Sequence, residues 1–157
     1  MVIKDFAIID HVELDFHQGM TVLTGETGAG KSIIVDAISL LLGERADKEM
    51  ISSKSDTAYI SGLFALNNPE IDKVFETSGI DASEEILIER TISKDNRNTV
   101  KINNQNANLK TLKEIAVYVA DIHSQFDTNQ LINPDNYLDI IDNFRIQKIT
   151  PLLQSYQ

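Results

Sequence analysis

Gly25-Glu26-Thr27-Gly28-Ala29-Gly30-Lys31-Ser32 fills every specified position of the pattern G-x-x-x-x-G-K-[ST]. The flanking stretches give that pattern a physical meaning. Met20 to Thr24 is a short apolar run suited to a buried strand, and Ile33 to Leu42 is a helix-length apolar run that stops at Gly43. Strand, glycine loop and helix in that order turn backbone N–H groups inward beneath the positive end of the helix, where a polyphosphate is held. Gly25, Glu26, Thr27, Gly28, Ala29, Gly30, Lys31, Ser32 and Ile33 are therefore the expected nucleotide-binding residues. Gly28 and Gly30 let the backbone approach phosphate with no Cβ in the way. Lys31 can reach the β- and γ-phosphates, which gives it a catalytic as well as a binding role, and Ser32 can ligate Mg²⁺. The expected ligands are a nucleoside triphosphate and Mg²⁺.

Outward from the loop, Val2 to Ile9 and Val12 to Phe16 read as two strands joined at Asp10-His11. The helix after the loop is apolar nearly all round, which predicts burial on most sides. Thr57 to Leu66 alternates as a strand, and Glu70 to Ser78 reads as a short helix stopped by Gly79. Glu85 to Ser93 and Asn98 to Ile102 form a hairpin across Lys94-Asp95-Asn96-Arg97, with Ile86, Ile88 and Arg90 on one face. Asn103-Asn104 is a further turn signal. Asn108 caps a helix running through Val119, on which Leu109, Leu112, Ile115, Ala116 and Val119 recur at helical spacing. Ala120 to Gln130 is polar and irregular, and Asn133-Pro134-Asp135 opens another helix. The last residues, Thr150-Pro151-Leu152-Leu153, look like a helix start, so the chain is expected to be a piece of something longer.

The chain has 157 residues, enough for one domain with a real core. It contains no Cys, so disulfides and Cys-based zinc sites are excluded. The first six residues lack the charged and apolar regions of a signal peptide, and the run Ile33 to Leu42 is too short to span a bilayer. With 14 basic and 24 acidic residues the net charge is −10, which argues against a broad electrostatic surface for nucleic acid. Lys94, Arg97 and Lys101 nevertheless gather at one hairpin.

A phosphate loop by itself does not hydrolyse a nucleotide; an acid must help hold Mg²⁺ and a further group must orient water. Asp121 follows an apolar run and is one candidate acid. Gln125, in Asp121-Ile122-His123-Ser124-Gln125, is another, because its amide can both donate and accept near a magnesium-bound water. With Asp121 on magnesium the chain would be a self-sufficient small P-loop NTPase or kinase, and with Gln125 it would need more. No Ser-His-Asp or metal-cluster constellation is present.

Several stretches taken together resemble the N-terminal head segment of the RecN family, bacterial repair ATPases related to the SMC proteins. They are Phe6-Ala7-Ile8-Ile9-Asp10, the loop with its strand, Asp36-Ala37-Ile38, Leu42-Gly43-Glu44-Arg45-Ala46 and Asp121-Ile122-His123-Ser124-Gln125. The resemblance covers about Met1 to Phe144. That family has Gly where Ser124 stands and a His-Glu-His run where Phe126-Asp127-Thr128 stands, while Gln125 is retained. The resemblance implies an α/β P-loop NTPase of the ABC/SMC head type, with a mixed sheet, an antiparallel sheet and flanking helices. Residues 1–145 would be the N-terminal lobe, and 146–157 the start of a helix leading to a coiled coil. It implies ATP and Mg²⁺ as cofactors, with Lys31 and Gln125 catalytic and Ser32 and Gln125 facing the metal. The implied partners are a C-terminal lobe supplying the catalytic carboxylate, a second head in a homodimer, and DNA through the whole protein, with Arg45 and Arg97 as candidate DNA sensors. A cytoplasmic, nucleoid-associated location without a membrane follows from the same resemblance.

Overall fold

The computed structural model describes residues 1–24, 30–65, 70–81, 83, 85–95 and 97–120. The chain divides into two compact units, Met1–Asp121 and Ile122–Gln157, and the described residues all belong to the first. Its strands are β1 (Val2–Phe6), β2 (Ile9–Glu13), β3 (Thr57–Ala65), β4 (Glu85–Ser93), β5 (Asn98–Ile102) and β6 (Gln105–Ala107). Its helices are α1 (Gly30–Leu41), α2 (Glu70–Ser78) and α3 (Leu109–Val119). The strands form one sheet in the order β2-β1-β3-β4-β5-β6, and every pairing among the described residues is antiparallel.

The alternation of β3 and β4 makes the sheet one-sided. Ala58, Ile60 and Gly62 of β3 and Ile86, Ile88, Arg90 and Ile92 of β4 are buried. Tyr59, Leu87, Glu89 and Thr91, on the opposite face, are only half-buried. The helices cover the buried side: α1 packs on β3 and β4, α3 on β5, and α2 on α3. The core joins Ile3 and Phe6 of β1 to Leu40 and Leu41 of α1, Phe75 of α2, and Leu112 and Ile115 of α3. At Gly62 the sheet lies tight against α1. A Cβ there would lie 2.9 Å from the Leu41 Cδ1 and 2.8 Å from the Phe64 ring, so any side chain must displace both.

Turn chemistry sets most of the boundaries. Gly43 takes φ +98°, its N–H bonds the Leu40 carbonyl at 3.1 Å, and the Glu44 N–H bonds the Ser39 carbonyl at 3.0 Å. This is the paired-bond glycine stop that closes many helices. Gly79 at φ +68° ends α2 in the same region of backbone space. Asn103 and Asn104 take φ +50° and +64°, the two left-handed residues of a type I′ hairpin turn, and pair Ile102 with Gln105. The Asn108 side chain accepts the Thr111 N–H at 2.8 Å and caps α3.

Three features differ from the sequence reading. The first hairpin turns at Ala7-Ile8, with Phe6 opposite Ile9, rather than at Asp10-His11. Ala7 sits at φ +50°, a position that Gly or Asn fills more readily, so the local chemistry does not announce the turn. Met20 to Thr24 enters no ladder among the described residues, and Met20 is 89% and Val22 64% exposed. An apolar run is buried as a strand only where a neighbour pairs with it. Finally, α1 buries only Ala37, Leu40 and Leu41, while Ile33, Ile34 and Ile38 are half-buried and Val35 is 40% exposed. The sheet covers one side of this helix, and among the described residues the other apolar side stays open.

Candidate functional site

Helix α1 begins at Gly30, so Gly30, Lys31, Ser32 and Ile33 form its first turn. Their backbone N–H groups have no partner within the helix, since the first four donors of any α-helix lack one. No acidic residue stands in that turn to oppose an anion. Among the described residues nothing lies within 4 Å of the position a Cβ on Gly30 would take, so they leave the space beside its backbone open. Lys31 is half-buried and Ser32 exposed on the same turn. A helix N-terminus, an ammonium, a hydroxyl and open space form a donor set that fits a phosphate group and its magnesium ion. Gly25, Glu26, Thr27, Gly28 and Ala29 lie outside the described residues, as do Asp121, His123 and Gln125. The structure therefore brings together four of the expected residues, Gly30 to Ile33. Among the described residues no cluster of His, Cys, Asp and Glu could hold a metal by itself.

The opposite end of α1 carries a residue whose importance strand alternation alone did not reveal. Arg90 of β4 is 2% exposed, and its Nη1 donates to the Leu40 carbonyl at 2.7 Å and the Glu44 carbonyl at 3.2 Å. The Leu40 carbonyl belongs to the negative end of the helix, where a cation is favoured, and the Glu44 carbonyl lies just beyond its glycine stop. Burial pulls the guanidinium below its ordinary pKa, yet an arginine stays charged near neutral pH. Arg90 thus anchors the helix whose other end carries Lys31 and Ser32. The signal was available: a charged residue in the inward-facing row Ile86, Ile88, Arg90, Ile92 needs a buried partner.

The basic hairpin is largely charge-compensated. Arg97 donates from Nε to Asp95 Oδ2 at 2.6 Å, and Lys94 Nζ lies 3.3 Å from Asp56 Oδ1. Arg97 holds the Asp95 carboxyl well below the usual carboxylate range. Exposed pairs of this kind contribute little to stability. On the open face of the sheet the Tyr59 hydroxyl donates to Glu89 Oε1 at 2.7 Å, and burial is the main cause that raises its pKa. Among the described residues no helix is long and apolar enough to cross a membrane.

Comparison with known proteins agrees with this architecture. The chain is 40% identical over 157 residues to the DNA repair protein RecN of Bacillus subtilis strain 168, covering 99% of this chain and 27% of that protein. It therefore spans about a quarter of the length of that relative. A solved structure described as "Structural biochemistry of ATP-driven dimerization and DNA stimulated activation of SMC ATPases" superposes with a TM-score of 0.64 at 23% identity, covering 91% of this chain and 96% of that one. An Smc head domain with an extended coiled coil, bound to the C-terminal domain of ScpA and derived from Pyrococcus furiosus, gives a TM-score of 0.58 at 26% identity, covering 74% of this chain and 31% of that one. The fold is that of an SMC-type head, an α/β P-loop architecture with helices flanking the sheet. Since the model of the RecF/RecN/SMC N terminal domain matches residues 1–123, the chain belongs to that family.

Proposed function

We propose that this chain is the ATP-binding N-terminal segment of a RecN-type ATPase that acts in DNA double-strand-break repair. The observation that carries the reading is the phosphate-loop sequence running directly into α1, whose first turn holds Lys31 and Ser32 beside open space, in a chain of this family. Residues 1–145 are the N-terminal lobe, and 146–157 open a helix toward a coiled coil. Backbone N–H groups from Gly25 to Ile33 hold the nucleotide phosphates, and the Lys31 ammonium offsets their charge. Ser32 and Gln125 are the groups that hold the metal, and Mg²⁺, when bound, neutralises charge on the terminal phosphates. The catalytic carboxylate comes from a C-terminal lobe, and closure by a second head makes hydrolysis a property of a head–head homodimer. DNA engages the assembled protein in the cytoplasm, on the nucleoid.

Two findings support the division into lobes. Met20 to Thr24 enters no ladder among the described residues, and α1 keeps an apolar side open. A lobe that adds strands beside the loop strand would cover both. The test is steady-state ATP hydrolysis by the folded 157-residue chain, alongside calorimetric binding of Mg-ATP to the same sample. Binding without turnover, and turnover restored by adding the C-terminal lobe, is expected. Turnover by the chain alone that is lost in Asp121→Asn would overturn the reading in favour of a self-sufficient enzyme.

A further inference from the structure

A cavity of about 290 Å³ opens at the end of α1 remote from Lys31, lined by Arg45, Arg90, Asn98 and Asn108, with Val100 and Leu109 on its apolar wall. None of the residues lining it is acidic, although the whole chain carries a net charge of −10. The concentration of positive charge here is therefore local and against the trend of the molecule. Beside the wall that β5 and β6 provide, three parts of the chain bring the positive groups. β4 supplies Arg90, the segment after α1 supplies Arg45, and Asn108 with Leu109 forms the N-terminal end of α3. The first turn of α3 contains no acidic residue, so no carboxylate there offsets the positive end of the helix. The Asn108 side-chain oxygen is committed to the Thr111 N–H, which leaves its NH₂ as the group it can offer.

Arg90 is the independent sign that something is wanted there. It is 2% exposed, and its protein acceptors are two backbone carbonyls, with no carboxylate paired to it among the described residues. Its Nε is buried and has no hydrogen-bond partner among the described residues. A buried cation without a counter-charge is costly, and a diffusible anion in the adjoining cavity supplies that charge. A guanidinium fork and a helix N-terminus converging on one space form a recognition set for oxyanions, phosphate above all.

We propose that this cavity is a second oxyanion site, taking a phosphate group held by Arg45, Arg90 and the N-terminal end of α3. The shared chemistry is a phosphate oxyanion, either free or carried by a sugar–phosphate chain. The site is separate from the phosphate loop and does not depend on the nucleotide reading.

The experiment is a titration of the ¹⁵N-labelled 157-residue chain with inorganic phosphate at constant ionic strength, following amide shifts by NMR. Saturable shifts are expected at Asn98, Val100, Asn108 and Leu109. Arg45→Ala changes an exposed side chain, so the fold is retained, and it should weaken the response of those amides by about tenfold, the loss of one charge-assisted contact. Shifts at Gly30 to Ser32, which report phosphate at the loop, should be unaltered by that variant. A Lys31→Ala sample reverses the pattern and separates the two sites. A single-stranded oligodeoxynucleotide identifies the source. If it moves the same four amides at lower phosphate concentration, the group belongs to a polynucleotide, and if it does not, the ligand is free phosphate or a small phosphate ester. No saturable shift at those four amides, or shifts that Arg45→Ala leaves unchanged, would overturn the proposal.

Discussion

Replacing Lys31 by Ala is expected to weaken Mg-ATP binding ten- to a hundredfold, because a charge-assisted contact to phosphate contributes about 1.5–3 kcal/mol. The side chain stands half-buried in the first turn of α1, beside the backbone donors that would hold the same phosphates. The backbone donors of the turn are untouched by the substitution, so residual affinity should remain and the loss should be large without being total. Calorimetric titration of wild type and variant with Mg-ATP decides the matter, with circular dichroism to show that α1 is intact. An unchanged dissociation constant would remove Lys31, and with it the loop, from the nucleotide site. Ser32→Ala provides the finer comparison, since its effect should depend on magnesium while that of Lys31→Ala should persist when magnesium is withdrawn.

Arg90→Ala should destabilise the chain by about 3 kcal/mol, a large part of the 5–15 kcal/mol by which a typical domain is stable. Two opposing effects meet at this residue. The guanidinium bonds the Leu40 and Glu44 carbonyls, and its removal leaves Leu40 with the Gly43 N–H alone and takes from Glu44 its side-chain donor. It also leaves a void beside the core formed by Leu40, Ile88 and Leu112. Against this, burying a cation is itself costly, and its loss refunds that desolvation. Arg90→Met separates the contributions because it keeps most of the volume and removes the charge. Its loss should be about 1–2 kcal/mol, set by the two hydrogen bonds that the guanidinium no longer makes. Urea unfolding of the three proteins measures the differences. A methionine variant as stable as wild type would show that desolvation of the arginine cancels everything its hydrogen bonds contribute to anchoring α1.

Those elements that announce themselves by local chemistry were legible in advance. Glu85–Ser93 and Asn98–Ile102 alternate cleanly around a polar turn, and both strands form within those bounds. Glu70–Ser78 ends where Gly79 permits positive φ, and Asn108 caps α3 as its side chain dictates. What eluded sequence reasoning depends on neighbours. The turn at Ala7-Ile8 uses an alanine in a left-handed conformation that nothing local favours, and it is held by the pairing of β1 with β2 on one side and β3 on the other. The short β6 exists because the Asn103-Asn104 turn returns the chain against β5. The exposure of Met20 to Leu23 and of one side of α1 cannot be read from hydrophobicity, which says that a surface wants cover but not what supplies it. At the site, the residue pattern named Lys31 and Ser32 outright. Arg90 was visible only as one member of an inward-facing row.

The sheet order carries a kinetic consequence. Strands β3, β4, β5 and β6 join consecutive neighbours, whereas β1 reaches β3 across a span that contains the whole of α1, pairing Val2 with Ser61. Hairpins close quickly, and long loops close slowly because their closure entropy must be overcome before any contact repays it. The β4–β6 meander is thus the natural nucleus, β3 joins it across α2, and α1, which packs on β3 and β4, settles only once those two strands are paired. Native-state hydrogen exchange should accordingly find the amides of β1 and of the first turns of α1 opening at lower free energy than those of β4; equal protection throughout would contradict this order. A ligand gripping the first turn of α1 then acts on a piece secured late, so occupancy would slow unfolding chiefly by holding that late-docking unit in place.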